Sequence, residues 1–333
     1  MRDFYNLDNY HYGKSSKKPY NKGKSFGYQI LGFGSGVAAA GFASYQQGIF
    51  SFNTEGGTNL LSNTGVIASD ITQVGTDRAG SPSGTGIGGD FGIMAYGRTF
   101  GDPSALSNLS NLISNLGVVQ SDQSGVGTIR ENGGGATYGG DLGVVVWGLG
   151  PSLLSVRNLI SNTGVVAGDV SAAGTVMSAI GCTSYSAEND LGIIVMGENS
   201  DQNQSNLISN TGVVSADVTG VGTARFGSAA QTYGEDKAIV GYGGGGGSLQ
   251  NVTNLISNVG VVATDTSGVG TGRYALGCPP FGGDRCCFAY GVVSGGPSGG
   301  EMSNLVSNTG VVASDTSGVG TPKSNMGFCG FGN

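Results

Sequence analysis

A chain of 333 residues with 38% hydrophobic content is long enough to bury a substantial core. Its 66 glycines come with only 8 prolines and no G-X-Y period, which excludes a collagen-like helix and assigns glycine to turns. Charged residues make up 11% and the formal net charge is −7, so Ser, Thr, Asn and Gly must cover most of the surface, a composition that suits extracellular or virion life.

The first 25 residues form a basic and aromatic arm. Arg2, Lys14, Lys17, Lys18, Lys22 and Lys24 stand against Asp3 and Asp8, a balance of +4 that leaves −11 for residues 26–333. An acidic body repels a phosphate backbone, so no nucleic acid is expected on it. Phe4, Tyr5, Tyr10, Tyr12 and Tyr20 interleave with lysines such as Lys17 and Lys18. Two readings of the arm stand: a solvated tail, or a docking peptide that orders on a partner or on a second copy of the chain. The arm lacks the apolar run of a secretory signal, and no stretch of 18 apolar residues occurs, so neither Sec export nor a membrane span is expected.

Two candidate strands follow, YQILGFG from Tyr28 and QGIFSFN from Gln47. From Asn59 onward the chain repeats. Copies of NLISNTGVVSAD begin at Asn59, Asn111, Asn158, Asn206, Asn254 and Asn304, with spacings of 52, 47, 48, 48 and 50 residues. Each copy predicts a strand C (NLISN), an Asn-Thr-Gly hairpin and a strand D (GVVSAD). A second column comprises DFGIMAYG from Asp90, DLGVVVWG from Asp141, DLGIIVMG from Asp190, DKAIVGYG from Asp236 and DRCCFAYG from Asp284. These short apolar runs between turn signals predict a buried strand B. Small-residue segments such as RFGSAAQTYG from Arg225 predict a crowded strand A before each. No segment has sustained helical periodicity, so almost no helix is expected.

Four strands per unit of about 48 residues predict an all-β fold, a single β-propeller over residues 26–333 with six four-stranded blades, or seven. The final segment from Gly320 repeats the start of a unit and stops, with Phe328 and Phe331 on a closing strand A. In one arrangement this strand completes the first blade beside Gln47–Asn53. In another it pairs with 26–34 as part of a seventh blade. In a third the N-terminal strand is donated to a neighbouring subunit.

The order Arg-aromatic (Arg273-Tyr274), small strand, Gly-Gly-Asp (Gly282 to Asp284), apolar strand ending in aromatic-Gly (Tyr290-Gly291) and Thr-Gly hairpin resembles a divergent Kelch repeat. Val213 and Val214 stand where a Kelch strand D carries Trp, and the double glycine after strand B is usually single here. The wording of the repeat, such as NLVSNTGVVASD from Asn304 and GVGTARFG from Gly220, is similar to repeat propellers in structural proteins of aquatic tailed phages and other viruses. That resemblance implies a virion component: a fibre, decoration or tail-associated protein.

The acids ending strand D, Asp70, Asp122, Asp169, Asp217, Asp265 and Asp315, occupy the same place in every unit, which points to a structural turn that accepts N–H groups of the following loop rather than to a calcium ring. Arg78, Arg130, Arg225 and Arg273 recur in step and suit pairing with the acid of the neighbouring unit, while Met177 and Lys323 break the series. Cys182, Cys278, Cys286, Cys287 and Cys329 match no zinc spacing; they read as buried small hydrophobes, with a bridge from Cys278 to Cys286 or Cys287 as the alternative. The one histidine, His11, lies in the arm, which leaves no Ser-His-Asp or Cys-His nucleophile on the body. Neither catalytic, metal nor cofactor-binding residues are assigned, and no enzyme activity is expected. The leading expectation is therefore a structural propeller of a virus particle, docked through the arm to other virion proteins or to its own copies. The alternatives are a glycan- or receptor-binding propeller using the irregular B–C loops (98–108, 149–156, 198–205, 244–252 and 292–302) and a subunit of an extracellular filament assembled by strand donation.

Overall fold

The computed structural model describes residues 45–53, 55–99, 105–294 and 300–332. The arm and the candidate strand from Tyr28 lie outside them. The chain divides into two units, Met1–Gly41 and Phe42–Asn333, and the architecture below is that of the second.

The unit is all-β, built of small antiparallel sheets, with one 3₁₀ turn at Ala187–Asn189. β1 (Gln47–Ser51) pairs with β2 (Asn59–Leu61). The second sheet holds β3 (Arg78–Ala79), β4 (Ser83–Ile87), β5 (Phe91–Thr99) and β6 (Leu106–Ile113), and the third β7 (Gly134–Tyr138), β8 (Leu142–Val146), β9 (Val156–Ile160) and β10 (Val170–Ser171). The fourth comprises β11 (Gly181–Tyr185), β12 (Leu191–Gly197) and β13 (Gln202–Ile208). The fifth comprises β14 (Ala229–Tyr233), β15 (Lys237–Gly245) and β16 (Ser248–Ile256). The sixth comprises β18 (Pro280–Phe281), β19 (Arg285–Ala289) and β21 (Ser303–Val306), and beside it β17 (Arg273–Tyr274) and β20 (Val292–Val293) form a two-stranded sheet of their own. β18 is short because Pro279 and Pro280 offer no N–H to a ladder.

The last strand, β22 (Gly327–Phe331), pairs with β1 in the register Gln47↔Phe331 to Ser51↔Gly327. Of the three expected arrangements of the ends, this is the first. β1 has β2 on its other edge, so neither edge is open to a donated strand.

The expected strand D needs correction. After each C–D turn the chain makes isolated bridges to strand C, one just past the turn (Leu61↔Ile67, Ile113↔Val119, Ile160↔Val166, Ile208↔Val214, Ile256↔Val262, Val306↔Val312) and, in five units, a second farther on such as Thr58↔Ile71, in place of a continuous ladder. In the third sheet β10 adds a two-residue ladder with β9. The reason is side-chain competition. The first Asn of each NLISN donates Nδ2 to a strand D carbonyl nine residues on, as from Asn59 to Ala68 O at 2.9 Å and Asn254 to Ala263 O at 2.9 Å, where a ladder bond would otherwise form. This outer segment presents Val66, Val165, Val213 and Val311 to solvent and buries the alternate Ile67, Val166, Val214 and Val312.

The first strands of the sheets lie beside one another in succession: β22 beside β4, then β7, β11, β14 and β18, with β18 again beside β22. Backbone hydrogen bonds follow the same path just ahead of these strands. Asn132 N donates to Gly80 O, Ala179 N to Asn132 O, Gly227 N to Ala179 O, Ala275 N to Gly227 O, Asn325 N to Ala275 O, and Ser81 N to Asn325 O, all at 2.7–3.0 Å. Ser81, Asn132, Ala179, Gly227, Ala275 and Asn325 all adopt φ between 45° and 60°. Small residues permit the approach: a Cβ on Gly84 would lie 2.1 Å from Phe328 O, and one on Gly135 2.3 Å from Gly84 O. Two narrow cavities, of about 50 and 30 Å³, are each lined by residues of all six first-strand segments. The apolar core lies between successive sheets, as where Tyr242, Phe288 and Cys278 meet.

Candidate functional site

Two constellations merit chemical reading, a repeated polar latch and one irregular cleft. The latch begins with the aromatic-Gly end of strand B. Phe52, Tyr96, Trp147, Met196, Tyr242 and Tyr290 all take positive φ (51–67°), and in three sheets the ladder register slips there, between Ala95 and Gly97, Val195 and Gly197, and Gly241 and Gly243. The column is a β-bulge, which re-aims a side chain toward the next sheet. Onto it comes the basic residue of the following unit: Arg78 over Phe52 at 4.1 Å, Arg130 over Tyr96 at 3.7 Å, Arg273 over Tyr242 at 4.2 Å and Lys323 over Tyr290 at 5.1 Å. Such cation–π contacts gain strength when desolvated, and these side chains are fully buried.

Each guanidinium donates to the Asn of its own sheet: Arg78 to Asn111 Oδ1 at 2.6 Å, Arg130 to Asn158 at 2.5 Å, Arg225 to Asn254 at 2.6 Å and Arg273 to Asn304 at 2.7 Å. The repeated acids sit at longer range, 3.7–4.0 Å from Arg78, Arg130, Arg225 and Arg273. Each pair lies within one unit, as with Arg78 and Asp122, because the Asn that accepts from the arginine also donates to the acid; the expected pairing with the acid of the neighbouring unit is thereby corrected. Burial lowers the arginines, Arg78 and Arg225 to about 10, against the opposing pull of Asp122 and Asp265, so all stay charged at neutral pH.

The acids accept from threonine in the linker that precedes their own sheet, not from the loop that follows as expected. Asp122 takes Thr76 N and Oγ1, Asp265 takes Thr223, Asp315 takes Thr271, and Asp70 takes Thr321. Asp169 and Asp217 bind Thr128 and Thr175 likewise. Partial burial opposes ionisation of these acids, but the hydrogen bonds from Thr and Asn outweigh it, and all six titrate below the usual carboxylate range. The acids are thus held by Thr and Asn of their own sheet, while Arg78 Nη1, the Nε of Arg130, Arg225 and Arg273, and Asn206 Oδ1 are buried without a hydrogen-bond partner. The stacking of Arg78, Arg130, Arg273 and Lys323 on the preceding sheet's aromatic makes the latch a fastener between sheets.

The cysteines sit apart from any site. All five are buried free thiols, and the register opposes Pro280, not Cys278, to Cys286, so the alternative of a cross-strand bridge is not realised. Burial pushes Cys287 up to about 12. Of the closing residues, Phe331 is wholly buried with Ile49 and Met94, and half-buried Phe328 lines both narrow cavities. Phe4, Tyr5, Tyr10, Tyr12, Lys17, Lys18 and Tyr20 lie outside the described residues, as does His11. Among the described residues no group of three His, Cys, Asp or Glu side chains is placed to hold a metal, and no helix is long and apolar enough to cross a membrane.

The cleft lies where the repeats diverge. The B–C loops of the fourth, fifth and sixth sheets meet the linker before β17 around an open cleft of about 870 Å³. Phe226 and Tyr274 wall it, ring centroids 5.6 Å apart and 68° between planes, with Leu249, Val292, Val293 and Met302 beside them. A Cβ on Gly244 would stand 3.0 Å from the Phe226 ring, so a larger residue there would push the ring aside. The β15–β16 hairpin turns through Gly246 and Gly247, both at positive φ, and is tied to the fourth sheet by Gly246 N donating to Asp201 Oδ2 at 3.2 Å. Asp201 is the single charged group among the lining residues. The irregular loops were legible as candidates in the sequence; their convergence on Phe226 and Tyr274 was not, because neither aromatic lies in a B–C loop.

The chain matches no protein-family profile and no curated protein. Its fold is similar to that of the solved chain described as "Structure of YjhT", with a TM-score of 0.58 and 11% identity over 78% of this chain and 91% of that one. At that identity the likeness concerns the fold alone.

Proposed function

We propose that residues 26–333 form one six-bladed β-propeller that serves as a non-enzymatic structural subunit of a larger assembly, of virion type, docked through the arm at residues 1–25. Support for six blades comes from the succession of first strands and from the hydrogen bonds that run from Gly80 through Asn132, Ala179, Gly227, Ala275 and Asn325 back to Ser81. The observation that carries the structural role is the use of the repeated polar residues: Asn, Asp and Thr of each unit bind one another, joined by Arg in four units and by Lys323 in the first, and stiffen the body. Such a body resists deformation while the arm supplies the aromatic and basic anchors. Deleting residues 1–24 tests this reading. The folded body should survive while incorporation into the native particle is lost; full incorporation of the truncated protein overturns it.

A second reading, ligand binding through the B–C loops, is favoured by the cleft at Phe226 and Tyr274, where three irregular loops meet outside the repeat.

A further inference from the structure

We propose that the cleft walled by Phe226 and Tyr274 binds a neutral glycan, one or two pyranose units at a time. The inference rests on the second reading above, ligand binding at the B–C loops, and is independent of the assembly role.

The size and lining of the cleft set the ligand class. At about 870 Å³ it falls in the range of small-molecule sites and admits a mono- or disaccharide. A pyranose has an apolar C–H face and a polar edge. The apolar face needs a flat, partly exposed wall, which the half-buried Tyr274 and Phe226 supply together with Leu249 and Met302. The edge needs acceptors and donors at the rim. Asp201 and the Ser294 hydroxyl line the same cleft, beside Ser248 and Thr271, whose hydroxyls already bond to Gln250 and Asp315. The turn at Gly246 and Gly247 is exposed, and a Cβ at either would meet nothing within 4 Å, so a ligand can approach the bare backbone there.

Charge selects among sugars. Among the described residues no lysine or arginine lines the cleft and its one charged group is the Asp201 carboxylate, while residues 26–333 carry −11. An anionic glycan would meet repulsion without a counter-charge, so uncharged sugars are preferred. Asp201 Oδ2 is held by Gly246 N, which orients the carboxylate and leaves Oδ1 to accept from a sugar hydroxyl. Hydrogen bonds to an ionised acceptor are the stronger kind.

The test applies the full-length protein to an array carrying neutral oligosaccharides of glucose, galactose and mannose beside sialylated, sulfated and uronic-acid glycans. Any neutral hit is then measured by titration calorimetry with the free sugar. Binding confined to neutral glycans is expected. Tyr274→Ala should weaken it by roughly tenfold or more, and Tyr274→Phe should retain it, since stacking needs the ring and not the hydroxyl. Asp201→Asn keeps an oxygen for Gly246 N and removes the charge; it should weaken binding about fivefold to tenfold with the fold intact. Preference for acidic glycans, the absence of any glycan hit, or affinity unchanged in both Tyr274→Ala and Asp201→Asn overturns the proposal. A cleft that instead binds a basic peptide, with the glycan array blank, overturns the glycan and keeps the ligand-binding reading.

Discussion

The Nζ of Lys323 lies 2.7 Å from Asp70 Oδ1, joining residues 253 positions apart in the chain, and the same ammonium donates to Asn59 Oδ1. The contact is the sixth latch, made by the last segment of the chain upon the first repeat. Lys323 is fully buried, and Tyr290 lies under it. Lys323→Ala leaves Asn59 Oδ1 unsatisfied and removes the tie of β22 to the first sheet. The expected cost is about 1–3 kcal/mol in urea unfolding at pH 7. Hydrogen exchange should quicken in Gly327–Phe331 before it quickens in β8. A variant as stable as the parent would show that strand pairing alone holds the ends.

Met177 breaks the series at the fourth sheet, and its consequence is visible. Asn206 Oδ1, whose counterparts in the other sheets accept from Arg or Lys, is buried without a partner, as is Trp147 Nε1 on the preceding sheet. Met177 packs with Trp147 in an apolar cluster instead. Met177→Arg restores the donor for Asn206 and a cation for the Trp147 ring. The predicted gain is about 1 kcal/mol, a rise of about 2 °C in the thermal midpoint for a domain of this size. A midpoint that falls would show that the apolar pair outweighs the lost hydrogen bond.

The period and the A, B and C strands were legible, because apolar runs and turn residues recur in register; the pairing of the final segment with Gln47–Ser51 was legible only as one of three arrangements. Strand D was legible only in part. Asn looks like turn chemistry in NLISN, and no pattern in the sequence tells that its side chain takes over ladder bonds. The aromatic before each Gly reads as the end of a strand, whereas the positive φ at Tyr96 or Tyr242 is a backbone feature that no local pattern announces. Partners of the acids lie 41–46 residues upstream in neighbouring linkers, as with Thr128 and Asp169 or Thr76 and Asp122, beyond any local motif. Asn108, Asn203 and Asn251, which fit glycosylation triplets, each donate Nδ2 to a linker glycine carbonyl, at 2.8, 2.8 and 2.6 Å.

Acid should unfasten the latches. The six acids have folded pKa values depressed below an unfolded value of about 3.9, so their contribution is complete above that value and is lost as pH falls through the folded values. The urea midpoint should hold steady from about pH 5 to 8 and drop below about pH 4. Asp265→Asn should lower the midpoint at pH 7 yet flatten the acid limb. A decline that sets in well above pH 5, or none down to pH 2, would assign acid sensitivity elsewhere.

The close approach of Gly84 to the backbone of the neighbouring sheet provides the sharpest steric test. Gly84 has no positive φ, so alanine there is opposed by space alone: its Cβ would stand 2.1 Å from Phe328 O and 2.8 Å from Phe328 C. Backbone cannot swing aside as a flexible side chain does, and β4 and β22 must separate. Gly84→Ala should cost about 1–3 kcal/mol, the usual range for overpacking. Gly168→Ala is the control, since a Cβ there meets nothing within 4 Å, and it should change stability by under about 0.5 kcal/mol. If Gly84→Ala matches Gly168→Ala in urea midpoint and in the exchange of β22 amides, the sheets do not abut as closely as described.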